Sequence, residues 1–290
     1  QLDYIIDSFS KTKVRKMKPF IRNLLRMSVY QIKYMDAVPD SAVCNEAVKL
    51  AKRHKFAQLS GFVNGVLRNI ARNIDSVQFD TLSIRYSMPQ WIVDRFVAAY
   101  GEKKAEEIFK AFHNKSTISI RTNLTRCTPD ELRATLEAEG VTVTAIDELN
   151  YAFVISGFDY LNGLQSFRDG LFYVQDISSM LVAQTAAPKK GDYVIDVCAA
   201  PGGKSTHIAE LLQGSGHVLA RDLTDNKVDM IEENIDRHGL NNMSAEVWDA
   251  TVFDADSAGK ADILICDLPC SGLGVLGRKK DIRYKMTPES

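Results

Sequence analysis

Two stretches of the chain carry residue types that could do chemistry. One is the loop Cys198-Ala199-Ala200-Pro201-Gly202-Gly203-Lys204, which follows the apolar run Tyr193–Val197 and precedes Ser205-Thr206-His207. The pattern reads as a buried strand, a small-residue loop and a helix N-terminus, a junction where backbone N–H groups can approach a ligand closely. The other is Asp267-Leu268-Pro269-Cys270-Ser271-Gly272, which follows the run Ala261–Cys266. It places a thiol in a Pro-Cys turn at a strand end, exposed to the crevice beyond that end and open to covalent chemistry. Cys198 and Cys266 sit in apolar runs and are expected to be inert core thiols.

Acidic residues recur where successive apolar segments end: Asp196, Asp222, Asp249 and Asp267. In an open α/β sheet, ligands sit beyond the C-terminal ends of the strands, so four carboxylates are expected near one crevice. Asp222 lies 19 residues after Gly203, near the spacing at which an acidic residue accepts hydrogen bonds from ribose hydroxyls. The loop lacks the Gly-x-Gly-x-x-Gly spacing that seats a pyrophosphate, which favours a nucleoside cofactor without one; S-adenosylmethionine fits. Asp249 is then suited to the adenine amino group. For either aspartate the competing reading is an exposed strand-end residue or a helix N-cap.

The elements that must position these residues divide the chain of 290 residues into three stretches. From 166 to 290 the pattern is doubly wound. The segment Gly170–Asp176 leads into a helix from Ser178, and strands are expected at 193–197, 217–220, 244–249 and 261–267, with helices at 205–212 and 226–237 between them. Residues 76–165 begin with helices near Trp91 and at 105–112, then alternate as a strand at 117–123, a helix from Thr128 to Gly140 and a strand at 141–144. That order suggests a small α+β domain. Residues 1–75 read as all helical, with Ile21, Leu24, Leu25, Ile32 and Met35 on one apolar stripe, Val43, Ala47, Leu50 and Ala51 on another, and Phe62, Val63, Val66, Leu67 and Ile70 on a third.

The net charge of −1 conceals an asymmetry: residues 1–75 hold 14 Lys and Arg against 6 Asp and Glu, and the remainder is correspondingly acidic. Such a split suits a nucleic-acid-binding module joined to an acidic enzyme, and equally a solvated helical surface. Lys11, Lys13, Arg15, Lys16, Lys18, Arg22 and Arg26 are the candidate phosphate contacts. The five scattered cysteines lack metal-type spacing, so no metal is expected. No run approaches the roughly 18 apolar residues of a membrane span, and no secretory pattern opens the chain, so a cytoplasmic protein without membrane contact is expected. A start at Gln1 rather than Met suggests a fragment.

Taken together, Cys198-Ala-Ala-Pro-Gly-Gly-Lys204 and Asp267-Leu-Pro-Cys-Ser-Gly272 resemble the RNA 5-methylcytosine methyltransferases of the bacterial RsmB (Sun, Fmu) type, within the NOL1/NOP2/Sun family. The segments Ser41–Lys52 and Gly61–Arg68 resemble the helical NusB-type RNA-binding domain, and the stretch from Ser87-Met-Pro-Gln-Trp91 to Arg121-Thr-Asn123 resembles the small RRM-like extension that precedes the catalytic domain in these enzymes. The resemblance implies an S-adenosylmethionine-dependent Rossmann-like methyltransferase domain, here incomplete, behind two RNA-binding modules. It implies a monomer that acts on unfolded or single-stranded small-subunit ribosomal RNA. It further implies that residues 198–204, Asp222, Asp249 and Asp267 hold the cofactor, that Asp267 stabilises the ring nitrogens with Lys204 as an orienting cation, and that Cys270 assists product release. In the family the attacking thiolate comes from a later Thr-Cys motif, which would lie beyond Ser290; loss of the strands around it would leave an open sheet edge. Two rivals remain: a DNA cytosine methyltransferase, in which the Pro-Cys thiol itself attacks, and a non-catalytic RNA-binding or antitermination-type factor.

Overall fold

The computed structural model describes residues 1–114 and 117–289, and the chain divides into two compact units, residues 1–114 with 272–290 and residues 115–271. In the first unit, helices α1 (Leu2–Phe9), α2 (Pro19–Tyr34), α3 (Asp40–Arg53) and α4 (Ser60–Asn73) pack their apolar stripes together. Ile5, Leu25, Ala51, Val63, Leu67 and Ile70 form the centre of that core. Met35, expected on the buried stripe, is instead 41% exposed, because α2 ends one residue before it.

Helices α5 (Leu82–Arg85), α6 (Gln90–Tyr100) and α7 (Glu102–Ala111) follow. Met88, Ile92 and Phe109 make a second core, to which Leu276 contributes from the far end of the sequence. Their apolar faces close on Leu273, Leu276 and Ile282, within the unit of residues 1–114 and 272–290.

The second unit holds two sheets. The first comprises β1 (Ile118–Thr122), β2 (Thr142–Ala145), β3 (Ala152–Ser156) and β4 (Phe172–Val174), with α8 (Pro129–Ala138) after β1 and the short α9 (Gln165–Arg168) before β4. Its order is β2-β3-β1-β4 and its pairs are antiparallel, with Ile120 opposite both Phe153 and Val174. This is the split β-α-β-β-α-β arrangement. Thr128 opens α8 with a capping box, its side chain bonded to the Glu131 N–H while the Glu131 carboxylate reaches back to the Thr128 N–H. The sequence reading omitted β3 and gave β4 to the doubly wound sheet. Three residues carry too little periodicity to reveal that β4 pairs backward with β1.

The second sheet comprises β5 (Tyr193–Asp196), β6 (His217–Asp222), β7 (Met243–Val247) and β8 (Ile263–Ile265). Helix α10 (Ile177–Ala186) precedes it, and α11 (Gly203–Leu211) and α12 (Asp225–His238) connect its strands. All pairs are parallel, in the order β7-β6-β5-β8. Val194, Ile208, Val218, Ala220 and Ile231 fill the core beneath it. As an edge strand, β8 leaves Leu264 57% exposed, and the following Cys266 is exposed rather than buried as the apolar run suggested.

Candidate active site

The loop between β5 and α11 is shaped by its small residues and held from three directions. Gly202 adopts φ +99°, a conformation that other residues take only under strain, and a side chain at Gly203 would meet the Tyr173 ring at 3.1 Å. Tyr173, on β4 of the antiparallel sheet, donates its hydroxyl to the Pro201 carbonyl (3.1 Å). Burial pushes that phenol up to about 12, so it remains a donor. Asn234 of α12 donates to the same carbonyl (2.9 Å), and Gln175 donates to the Gly203 carbonyl (3.1 Å). From inside, Ser205 donates to buried Asp196 (2.6 Å); burial is the largest influence on that carboxyl and raises it, opposed by the Ser205 bond. Tyr173, Gln175 and Asn234 were missed in the sequence. The signal available was the Gln175-Asp176 pair ahead of α10, where Asp176 is the N-cap residue.

A cleft of about 220 Å³ opens over this loop. Of the residues expected at a site, Cys198, Ala199, Ala200, Pro201, Gly203, Lys204 and Asp267 all line it, as does Asp196. The Lys204 ammonium donates to the Asp267 carboxylate at 2.5 Å, the side chains being 19% and 59% exposed. Cys270 lies three residues further on and is exposed, without lining the cleft.

Asp222 and Asp249 stand apart from that lining. Asp222 is buried at the end of β6, where Ala200 N–H donates to one oxygen (3.0 Å) and Leu223 N–H and the Lys227 ammonium to the other (2.8 and 2.7 Å). Burial alone would raise this carboxyl, but Lys227 and the two backbone donors outweigh it and hold it low. Three bonds of about four that a carboxylate can accept leave room for one hydroxyl. Asp249 is exposed two residues past β7 and folds back on Thr251, accepting from its N–H (2.9 Å) and hydroxyl (2.7 Å). These bonds hold its carboxyl low.

Of the four carboxylates expected at one crevice, Asp196 and Asp267 line the cleft, Asp222 lies behind the loop on the Ala200 N–H, and Asp249 turns away onto Thr251. Residues 183–290 match the family described as 16S rRNA methyltransferase RsmB/F. Residues 1–72 match the NusB family, and residues 88–158 match the ferredoxin-like domain of RsmF/B-like methyltransferases. The probable ribosomal RNA small subunit methyltransferase B of Bacillus subtilis is 38% identical across 99% of this chain and 66% of its own length. The ribosomal RNA small subunit methyltransferase B of Proteus mirabilis is 31% identical across 98% of this chain and 67% of its own.

The chain belongs to the RsmB/F methyltransferase family. It spans about two thirds of the length of these relatives. A solved structure of a methyltransferase homologue from Pyrococcus horikoshii is 25% identical, covers 70% of this chain and 66% of that one, and superposes with a TM-score of 0.59. The RsmB/F assignment agrees with the architecture: an all-helical NusB domain, a ferredoxin-like domain and a methyltransferase fold.

The candidate RNA contacts fall on α2 and the segment before it. Lys11, Lys13, Arg15, Lys16 and Lys18 are exposed, although Lys13 donates to the Asp7 carbonyl (3.0 Å). Arg22 and Arg26 are half-buried. Arg26 makes a two-bond ion pair with Asp3 (2.6 and 2.5 Å), which commits its guanidinium to holding α2 on α1. Among the described residues no group of His, Cys, Asp and Glu could hold a metal ion, and no helix is long and apolar enough to cross a membrane.

Proposed function

We propose that the protein transfers a methyl group from S-adenosylmethionine to C5 of a cytosine in small-subunit ribosomal RNA. The observation that carries this reading is the Lys204–Asp267 ion pair in the loop cleft, three residues from the exposed Cys270. Residues 198–204 and Asp222 would hold the cofactor, with Asp249 toward its adenine. Bound there, it supplies an electrophilic methyl group. C5 of cytosine is a poor nucleophile, so a thiolate first adds to C6, and the ring becomes enamine-like. C5 would then take the methyl group as its bond to the sulfonium sulfur breaks, with S-adenosylhomocysteine leaving; a base removes the C5 proton, and the C6–sulfur bond breaks to release the thiolate. Asp267 stabilises the ring nitrogens during addition, and Lys204 fixes the orientation of Asp267. Cys270 assists release, and another thiol of the whole protein attacks. A base in a duplex is out of reach, so the substrate is single-stranded or unfolded RNA.

Incubation of the full-length protein with unmodified small-subunit rRNA, followed by base-resolved detection of 5-methylcytosine, tests the reading. Methylation at adenine, or no binding of S-adenosylmethionine by calorimetry, overturns it; the second outcome would favour a non-catalytic RNA-binding factor. In the Cys270→Ala variant, covalent protein–RNA complexes are expected to persist or accumulate. Their disappearance would make Cys270 itself the attacking thiol, as in the DNA enzymes.

A further inference from the structure

Residues 277–285, Gly-Arg-Lys-Lys-Asp-Ile-Arg-Tyr-Lys, hold five cations and one carboxylate in a part of the chain that is otherwise acidic. Lys279, Lys280, Tyr284 and Lys285 are all exposed. Lys285 is paired with Asp281 (2.7 Å). Among the described residues, no hydrogen bond or ion pair engages the ammonium groups of Lys279 and Lys280.

The segment is anchored rather than loose. Leu276 and Ile282 pack with Met88, Ile92 and Phe109. Arg283, 4% exposed, donates to the Tyr86, Ser87 and Leu276 carbonyls (3.4, 3.2 and 3.4 Å). Tyr284, its neighbour on the short α13 (Ile282–Lys285), donates its hydroxyl to the same Ser87 carbonyl (3.1 Å), yet the residue is 71% exposed. A ring held at its hydroxyl and otherwise open to solvent offers a fixed platform on which a base can stack. Exposed cations near such a ring are the two parts that hold single-stranded nucleic acid, charge for the backbone and a π-face for a base. Because the segment is already fixed, little ordering is left to oppose binding.

We propose that residues 279–285 grip an unpaired RNA strand, with Lys279 and Lys280 on its phosphates and Tyr284 stacked against a base. The inference rests on the methyl-transfer reading for the identity of that strand, the RNA flanking the target cytosine. Lys279 follows Cys270 by nine positions, so the chain alone keeps the two within about 32 Å. An acidic peptide would satisfy the lysines but brings no regular series of flat rings to Tyr284.

Fluorescence anisotropy of the full-length protein with a short, labelled, unstructured oligoribonucleotide, over a range of salt, tests the grip. Lys279→Gln with Lys280→Gln should weaken binding and lower the slope of log K against log salt by about 1.4, two phosphates at about 0.7 each. Tyr284→Leu should weaken binding about tenfold with the slope unchanged, and Tyr284→Phe, which keeps the ring and gives up only the Ser87 bond, should bind like the wild type. If Tyr284→Leu fails to fold, the exposed lysine pair decides the matter by its slope. A wild-type slope in the lysine pair, or wild-type affinity in Tyr284→Leu, overturns the proposal. Displacement of the RNA by poly-aspartate as effectively as by unlabelled RNA of equal charge overturns it in favour of an acidic protein. S-Adenosylmethionine calorimetry on the wild type separates the two readings. Cofactor bound, with RNA affinity untouched by the variants, sinks this proposal alone; no cofactor bound sinks the methyl-transfer reading, while RNA affinity lost in the variants still upholds this one.

Discussion

Lys204 shows how little stability a residue need supply to matter chemically. Its partner Asp267 is 59% exposed, so solvent screens the pair and its loss should change folding by less than about 1 kcal/mol. Under the proposed methyl transfer, charge would develop in the cleft beside it, and the same ammonium would then have a much larger effect on the transition state. Lys204→Met is therefore expected to leave thermal melting nearly unaltered and to slow methyl transfer by the full-length protein about a hundredfold, as single-turnover kinetics would read. His207 behaves in the opposite way. Burial and Arg121 push its imidazole from 6.5 down to about 2, so below pH 6.5 the unfolded chain binds a proton that the native state refuses. Stability contributed by neutral His207 is complete above pH 6.5 and falls by about 1.4 kcal/mol per pH unit below it. Urea unfolding between pH 7 and 5 should show stability falling with pH, buried His238, lowered in the same direction, adding to the slope, and His207→Gln should reduce that slope by about one proton. A sequence offers the identity of Lys204 and its place in a loop; it offers nothing about His207, whose neighbours come from strands more than 50 residues away.

At the level of elements, the residue that ties the two sheets of the second unit together is Arg121. It is the largest fully buried side chain, sits on β1, and bonds Gln175 beyond β4 and Thr206 and Glu210 on α11. Gln175 in turn bonds the Gly203 carbonyl of the loop, so this chain of hydrogen bonds joins the Tyr173–Pro201 bond in bracing the loop from the antiparallel sheet. Arg121→Met would leave Glu210 buried without its counter-charge and should cost about 3–5 kcal/mol, whereas Arg121→Met combined with Glu210→Leu should recover a large part of it; chemical denaturation of both variants measures the difference. The motif Arg121-Thr122-Asn123 was legible as the end of an alternating strand and as part of the resemblance to the RRM-like extension. Its role was not legible, because a buried arginine is recognised by partners that folding alone brings near. The parallel strands β5 and β8 were legible for the converse reason: apolar runs such as 193–195 and 263–265, with an acidic residue at or just past the end, need no distant partner to declare themselves. β3 and β4 failed that test, since antiparallel pairing of three to five residues leaves a weak local pattern.

For the molecule as a whole, the separation of charge along the chain is the property that folding preserves and refines. The basic excess of residues 1–75 was legible as a count, but the count could not say which cations are available to a phosphate. Arg26, bonded twice to Asp3, works inside the domain. Lys11, Lys16 and Lys18 are exposed on the segment that leads into α2, and each phosphate they neutralise would release counterions and steepen the salt dependence of RNA binding. Replacing all three with Gln should therefore weaken binding to single-stranded rRNA and lower the slope of log K against log salt by about 0.7 for each phosphate no longer neutralised, with thermal stability retained. Arg26→Gln should do the reverse: lower the melting temperature of the helical domain, by removing the α1–α2 ion pair, and leave the salt slope nearly unchanged. Equal slopes for the wild type and the triple variant would return the basic segment to the role of a solvated surface.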